Sequence, residues 1–266
     1  MSYAIDERNP ERQQLLAALL NPPTREVLAR LPPMSAARCL DLGCGQGNTT
    51  RCLAEVLQPA SCVGLEYDPA LVDYAATRAD NPASVTFQQG DATRLPFPDA
   101  SFDVVFCRYL LIHMADPMAV VREMLRVVKP GGYAIAYEGD FIVEMSDPPC
   151  PALASINKIW NGLFQNPTGG RHLIGYFRRA GATRISGGAV SLLEHEGSTM
   201  RRVYRLTAEA TGPLGVSRGL LDEAEARDMV AGLTALEEDP HGVLVKFPDM
   251  WVIAPPVIRV APALRK

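Results

Sequence analysis

The chain has 266 residues, 47% of them hydrophobic and 21% charged, with a formal net charge of −4. It is long enough to bury a substantial core, and its acidic balance, with basic pairs only at Arg178-Arg179, Arg201-Arg202 and Arg265-Lys266, excludes an extended nucleic-acid footprint. No apolar run approaches the roughly 20 residues of a membrane helix, and the opening MSYAIDERNPERQQ lacks the apolar stretch of a signal peptide, so the cytoplasm is the expected compartment.

Residues 10–31 carry two helical patterns separated by Asn21-Pro22-Pro23, the first marked by Leu15, Leu16, Leu19 and Leu20, the second by Val27, Leu28 and Leu31. Such an extension packs on a sheet edge or covers a pocket. Arg38 to Leu42 has the length and apolarity of a buried strand and breaks into a turn with Gly43, Gly45 and Gly47, after which Asn48-Thr49-Thr50 opens a helix. Strand, glycine turn and helix form the first unit of a doubly wound α/β domain, where ligands sit at the carboxyl ends of strands. A dinucleotide fingerprint places its third glycine where this chain has Asn48.

A second strand, Ser61 to Leu65, ends in Glu66-Tyr67-Asp68, and Pro69 starts the next helix with Asp68 as its cap. Glu66 stands about twenty residues past the glycine turn, where a carboxylate accepts hydrogen bonds from a ribose diol. A third strand, Val85 to Gln88, leads to Gly90-Asp91-Ala92, and Asp91 is suited to an exocyclic amine. The fourth, Phe102 to Cys107, continues into Arg108-Tyr109 and His113. Asp116-Pro117 then caps a helix that stops at Pro130-Gly131-Gly132, and Tyr133 to Tyr137 is the fifth strand, with Glu138 and Asp140 at its end.

Further on, Ser155–Phe164 and Arg171–Arg179 read as helices, as core or as a lid. Thr183–Leu193 reads as a strand, Met200–Leu214 and Leu221–Leu236 as helices, and Met250–Val260 as a last strand, interrupted by Pro255-Pro256 and therefore near an edge. Cys39, Cys44, Cys52, Cys62, Cys107 and Cys150 follow no metal-ligand spacing and read as buried free thiols, so no metal is expected.

The segments LDLGCGQG, GDATRLPF, SFDVVFCRYLL and LRVVKPGGY, with Glu66 between the first two, resemble the successive motifs of class I S-adenosylmethionine-dependent methyltransferases, similar to those of ubiquinone and menaquinone biosynthesis. The likeness runs over roughly residues 35–140. It implies a mostly parallel seven-stranded Rossmann-like sheet with an antiparallel last strand. One domain over 1–266 would then comprise a helical extension (1–34), a cofactor core (35–140) and helical insertions or lids (141–182 and 197–246).

The resemblance further implies S-adenosyl-L-methionine as cofactor and S-adenosyl-L-homocysteine as product. Gly43, Gly45, Gly47 and Asn48 would line the methionine portion, with Asp41 supporting its amino end; Glu66 would take the ribose, Tyr67, Asp91 and Ala92 the adenine. Cys107, Arg108 and Tyr109 would border the sulfonium, and Tyr3 belongs to the resembling extension. A hydroxyl or carbon acceptor must lose a proton, for which the candidate bases are His113, Asp140 and His172, with Glu138 beside them. The expected partner is a small apolar or aromatic metabolite, without nucleic acid, and the chain a monomer or homodimer. A nicotinamide-dependent oxidoreductase and a cofactor-binding regulator without turnover stay open as alternatives.

Overall fold

The computed structural model describes residues 9–141, 145–194, 199–246 and 248–255. Tyr3 lies outside them.

The elements run α1 (Pro10–Leu28), β1 (Arg38–Leu42), α2 (Asn48–Leu57), β2 (Ser61–Glu66), α3 (Pro69–Ala76), β3 (Val85–Gln89) and β4 (Phe102–Arg108). A short 3₁₀ turn (Leu111–His113) leads to α4 (Pro117–Val127), β5 (Val128–Gly139), β6 (Met145–Asp147), α5 (Ala152–Leu163) and α6 (Gly169–Arg179). There follow β7 (Ser186–Val190), β8 (Leu193–Glu194), α7 (Thr199–Ser217), α8 (Glu223–Glu238), β9 (Val243–Val245) and β10 (Asp249–Ala254).

The main sheet has seven strands in the order β3-β2-β1-β4-β5-β10-β7. β1 to β5 are parallel, and β10 runs antiparallel between β5 and β7. Four of the five residues of β1 are buried, as a central parallel strand covered on both faces requires. Asp68 and Asp116 cap α3 and α4 through the backbone N–H groups of Ala70 and Ala119 at 2.9 and 3.1 Å, each with proline at the first helical position.

Four expectations need correction. The Pro22-Pro23 pair does not split the N-terminal helix; α1 is continuous through it. Two backbone donors are lost there, but the Thr24 hydroxyl donates to the Leu20 carbonyl at 2.7 Å, and the Arg108 guanidinium donates to Asn21 Oδ1 and Thr24 Oγ1, both at 3.0 Å. Pro130-Gly131-Gly132 does not end α4. That helix stops at Val127, and the three residues bulge out of β5, whose register slips between Phe102 and Val104 of β4. The last strand is no edge strand, because β10 (Asp249–Ala254) pairs with β5 on one side and β7 on the other; residues 256–260 of the expected stretch lie outside the described residues. Finally, the insertions are not wholly helical, since β6, β9 and β8 form a separate three-stranded sheet.

Two apolar clusters cover the faces of the main sheet. One is built on Leu40, Val105 and Phe177, the other on Cys39, Phe106 and Tyr137. A third, around Ile156, Trp160, Tyr204 and Leu233, belongs to a cap of α5, α7 and α8. α6, read as core or lid, packs on the sheet as core through Leu173, Tyr176 and Phe177. No described helix is long and apolar enough to cross a membrane.

Candidate active site

The glycine turn is stapled to the tip of β2. The N–H groups of Gly43 and Cys44 both donate to the Leu65 carbonyl at 2.8 and 3.2 Å, and that of Gly45 donates to Glu66 Oε2 at 2.9 Å. Gly47 has a φ of +79°, and a Cβ there would lie 2.6 Å from Phe87 Cζ, so both backbone and packing demand glycine. The Glu66 carboxylate, 2% exposed, is fixed by backbone: Oε1 accepts from Tyr67 and Asp68 N–H at 2.6 and 3.1 Å.

Above these strand tips lies a cavity of about 410 Å³. Its lower wall comprises Gly43, Gly45, Asn48, Glu66, Tyr67, Asp91, Ala92, Arg108 and Tyr109. These are most of the positions singled out from the sequence, gathered from four separate segments. Asp41, Gly47 and Cys107 stand behind the wall. Asp41 is buried and accepts the Thr50 hydroxyl at 2.7 Å; burial pushes its pKa up to about 7, against the opposing pull of that hydroxyl and of Arg108. Cys107 is fully buried in β4, and burial raises its thiol well above the ordinary range.

The upper wall draws on the N-terminal extension and the 141–182 stretch, both read as possible covers of a pocket, and on α7 of the 197–246 insertion. It takes Arg12, Leu16 and Leu20 from α1, Phe141 from the turn after β5, Trp160 and Phe164 from α5 and its C-terminal cap, and Met200, Val203, Tyr204 and Thr207 from α7. Phe141 meets Phe164 and Trp160 edge-on, at centroid distances of 4.9 and 5.1 Å, and Trp160 meets Tyr204 at 5.5 Å. α1 closes one side, where Asn48 Nδ2 donates to the Gln13 carbonyl at 3.3 Å.

Of the three candidate bases only His113 lines the cavity. Its ring packs edge-on against Phe164 at 5.1 Å, and burial, then the nearby Arg12 charge, lower its pKa to about 4. Asp140 is held away from the cavity wall in a two-pronged ion pair with Arg171 of α6, at 2.5 and 2.8 Å. His172 is exposed on α6, beside Tyr176. Glu138 also lies behind the wall. Its Oε1 accepts the N–H groups of Leu110 and Leu111 at 2.9 and 2.7 Å, Oε2 has no hydrogen-bond partner among the described residues, and burial lifts its pKa to about 8.

At the floor, Tyr109 holds a φ of +55°, unusual for a side chain of its size. Its N–H donates to the Tyr137 carbonyl at 2.9 Å and its hydroxyl to Asp249 Oδ1, which also receives Lys246 Nζ at 2.5 Å, while Tyr137 reaches Oδ2 at 3.1 Å. Burial, then the Asp249 charge, raise the Tyr109 pKa, so the phenol stays a donor. Among the described residues no cluster of three or more His, Cys, Asp or Glu forms a metal site.

Comparison with known proteins agrees with this geometry. Residues 40–136 match a family model described as a methyltransferase domain. The chain is 38% identical over 114 residues to a demethylmenaquinone methyltransferase of Deinococcus radiodurans, covering 42% of this chain and 46% of that protein. It is 34% identical over 146 residues to an O-methyltransferase of Penicillium expansum, covering 54% and 51%. The chain thus spans about half the length of these curated relatives. In fold it is similar to the YcgJ protein of Bacillus subtilis, with a TM-score of 0.59 at 22% identity over 89% of this chain and 97% of that one.

Proposed function

We propose that this chain, whose residues 40–136 match a methyltransferase domain model, moves a methyl group from S-adenosylmethionine to a small apolar or aromatic acceptor, on oxygen or carbon. One observation carries the reading: a single cavity joins the fixed carboxylates and glycine turn of the strand tips to an aromatic chamber under α1, α5 and α7. The site suits the cofactor, with Glu66 as acceptor for two ribose hydroxyls, Asp91 and Ala92 for adenine, and the α2 N-terminus at Asn48, behind the glycine turn, for a carboxylate. When bound, the cofactor supplies an activated methyl on a sulfonium, and the protein contributes position and environment.

Tyr67 flanks the adenine end, and Tyr109 and Arg108 form the floor between the two halves. The neutral His113 imidazole stands on the acceptor side as the group to take a hydroxyl or carbon proton. The quinone and O-methyl relatives support acceptors of this kind. Calorimetry with S-adenosylhomocysteine tests the cofactor end, and mass spectrometry of small molecules labelled from methyl-labelled cofactor tests the acceptor end. Glu66→Gln is expected to weaken cofactor binding and Glu66→Ala to weaken it more, by about 1–3 kcal/mol. Unchanged affinity in a folded Glu66→Ala variant would refute the ribose assignment.

A further inference from the structure

The turn that carries His113 is held at both ends by side chains from outside it. A 3₁₀ turn of three residues leaves its leading N–H groups and trailing carbonyls without partners of its own, and here Leu111, Ile112 and Met114 are buried. At the leading end Glu138 takes the Leu110 and Leu111 N–H groups on Oε1. At the trailing end stands Asn166, in the connection between α5 and α6. Its Nδ2 donates to the Leu111 and Met114 carbonyls at 3.2 and 2.5 Å, and its backbone N–H to the Ile112 carbonyl at 2.9 Å.

Asparagine suits this place chemically. Its amide nitrogen carries two donors and no charge, so it serves two carbonyls at once, and those carbonyls fix which way the amide points. The same connection sets the neighbours of the imidazole. Phe164, two residues before Asn166, meets the His113 ring edge-on at 5.1 Å, and the Pro167 carbonyl, one residue after it, accepts the Phe141 N–H at 2.9 Å. α6 then begins close against the end of β5, where a Cβ on Gly170 would lie 2.9 Å from the Glu138 carbonyl oxygen. The turn is therefore fixed relative to β5 and to the α5–α6 connection together, with His113 on the cavity wall.

We propose that Asn166, acting with Glu138 across the turn, is a positioning residue of the reaction and sets the place from which the His113 imidazole meets the acceptor. This rests on the reading of His113 as the base of a methyltransferase. A displacement of about 1 Å at a reacting group can cost about 10²-fold in rate, so grips on the backbone of the turn decide whether the imidazole is useful. A purely structural staple would use the same hydrogen bonds, but its loss would lower the Tm and leave the surroundings of His113 in the folded state as they were.

The test follows the imidazole resonances of the full chain, made with isotope-labelled histidine, from about pH 8 to about pH 5, with and without S-adenosylhomocysteine. The His113 resonance is the one lost in His113→Gln. In the parent, burial and the Arg12 charge should keep His113 neutral over that range. Asn166→Ala releases the Leu111 and Met114 carbonyls and admits water to the turn, so His113 is expected to titrate with a midpoint above about pH 5. The exposed His172 and His241 should titrate unchanged. Asn166→Ser keeps one donor and should begin to titrate at the acid end of the range. A His113 that stays neutral in folded Asn166→Ala, or that already titrates near its ordinary value in the parent, would overturn the proposal. Should Asn166→Ala not fold, Asn166→Ser decides, and either a His113 neutral throughout or a second failure to fold would assign Asn166 to folding alone. Calorimetry with S-adenosylhomocysteine separates the two readings. A parent that binds none while His113 responds to Asn166 would overturn the methyltransferase reading alone, and one that binds it while His113 ignores Asn166 would overturn this proposal alone.

Discussion

Glu138 illustrates how a residue can look catalytic and act as scaffold. It stands at a strand end facing the site, but its Oε1 holds the N–H groups of Leu110 and Leu111, which begin the turn carrying His113. Glu138→Ala strands two buried donors and is expected to lower stability by about 2–5 kcal/mol, whereas Glu138→Gln keeps an acceptor and should cost much less; denaturant unfolding measures both. Burial raises the pKa of Asp41 to about 7 and that of Glu138 to about 8, so the folded state binds more protons than the unfolded chain between about pH 4 and 8. Through these two groups stability is greatest below the ordinary carboxylate range and is lost as pH rises to about 8. His113 acts oppositely, because its lowered pKa gives stability above about 6.5 that is lost as pH falls toward about 4. Asp41→Asn should flatten the fall between about pH 4 and 7, and an unchanged slope there would place its charge elsewhere. In turnover, His113→Ala should cost about 10²–10⁴ and His172→Ala less than severalfold. Asp140→Asn should act mainly on stability, by weakening the buried end of the Arg171 pair.

At the scale of elements, legibility followed range. The glycine turn, Glu66, Asp91 and Arg108 were readable because each follows directly from an apolar strand, and the strand ends of a doubly wound sheet converge whatever the rest of the chain does. The chamber was legible only as a cover formed by the N-terminal extension and the 141–182 stretch; its closure on α7 was not, because Arg12 and Thr207 lie 195 residues apart and nothing local announces their contact. The Pro22-Pro23 break was misread for the same reason, since the groups that bond α1 around the prolines include Arg108 of β4. β6, β8 and β9, two or three residues each, are too short to show a period of two. α5 was read as core or lid and is both, as Trp160 belongs to the cap cluster and lines the cavity. Trp160→Phe, which keeps an aromatic ring there, should change acceptor KM or kcat by about tenfold and leave cofactor affinity nearly unchanged. Parallel loss of both with a lower Tm would assign Trp160 to packing alone.

For the molecule as a whole, the cavity lies between a sheet with its own two apolar faces and a cap with a third cluster. Its floor depends on a pairing made late. Tyr109, at the end of β4, holds its left-handed backbone beside Asp249, and Asp249 opens β10, which runs between β5 and β7. β10 is synthesised after every other described element, so a growing chain on the ribosome has β1 to β5 available long before the residue that pins Tyr109. Until then β5 presents an open edge, an invitation to pair with other chains, and the ligand floor is unfinished. Competence to hold ligands therefore comes with the closing of that edge, and a nascent copy stays inert until the seam between β5 and β7 is filled.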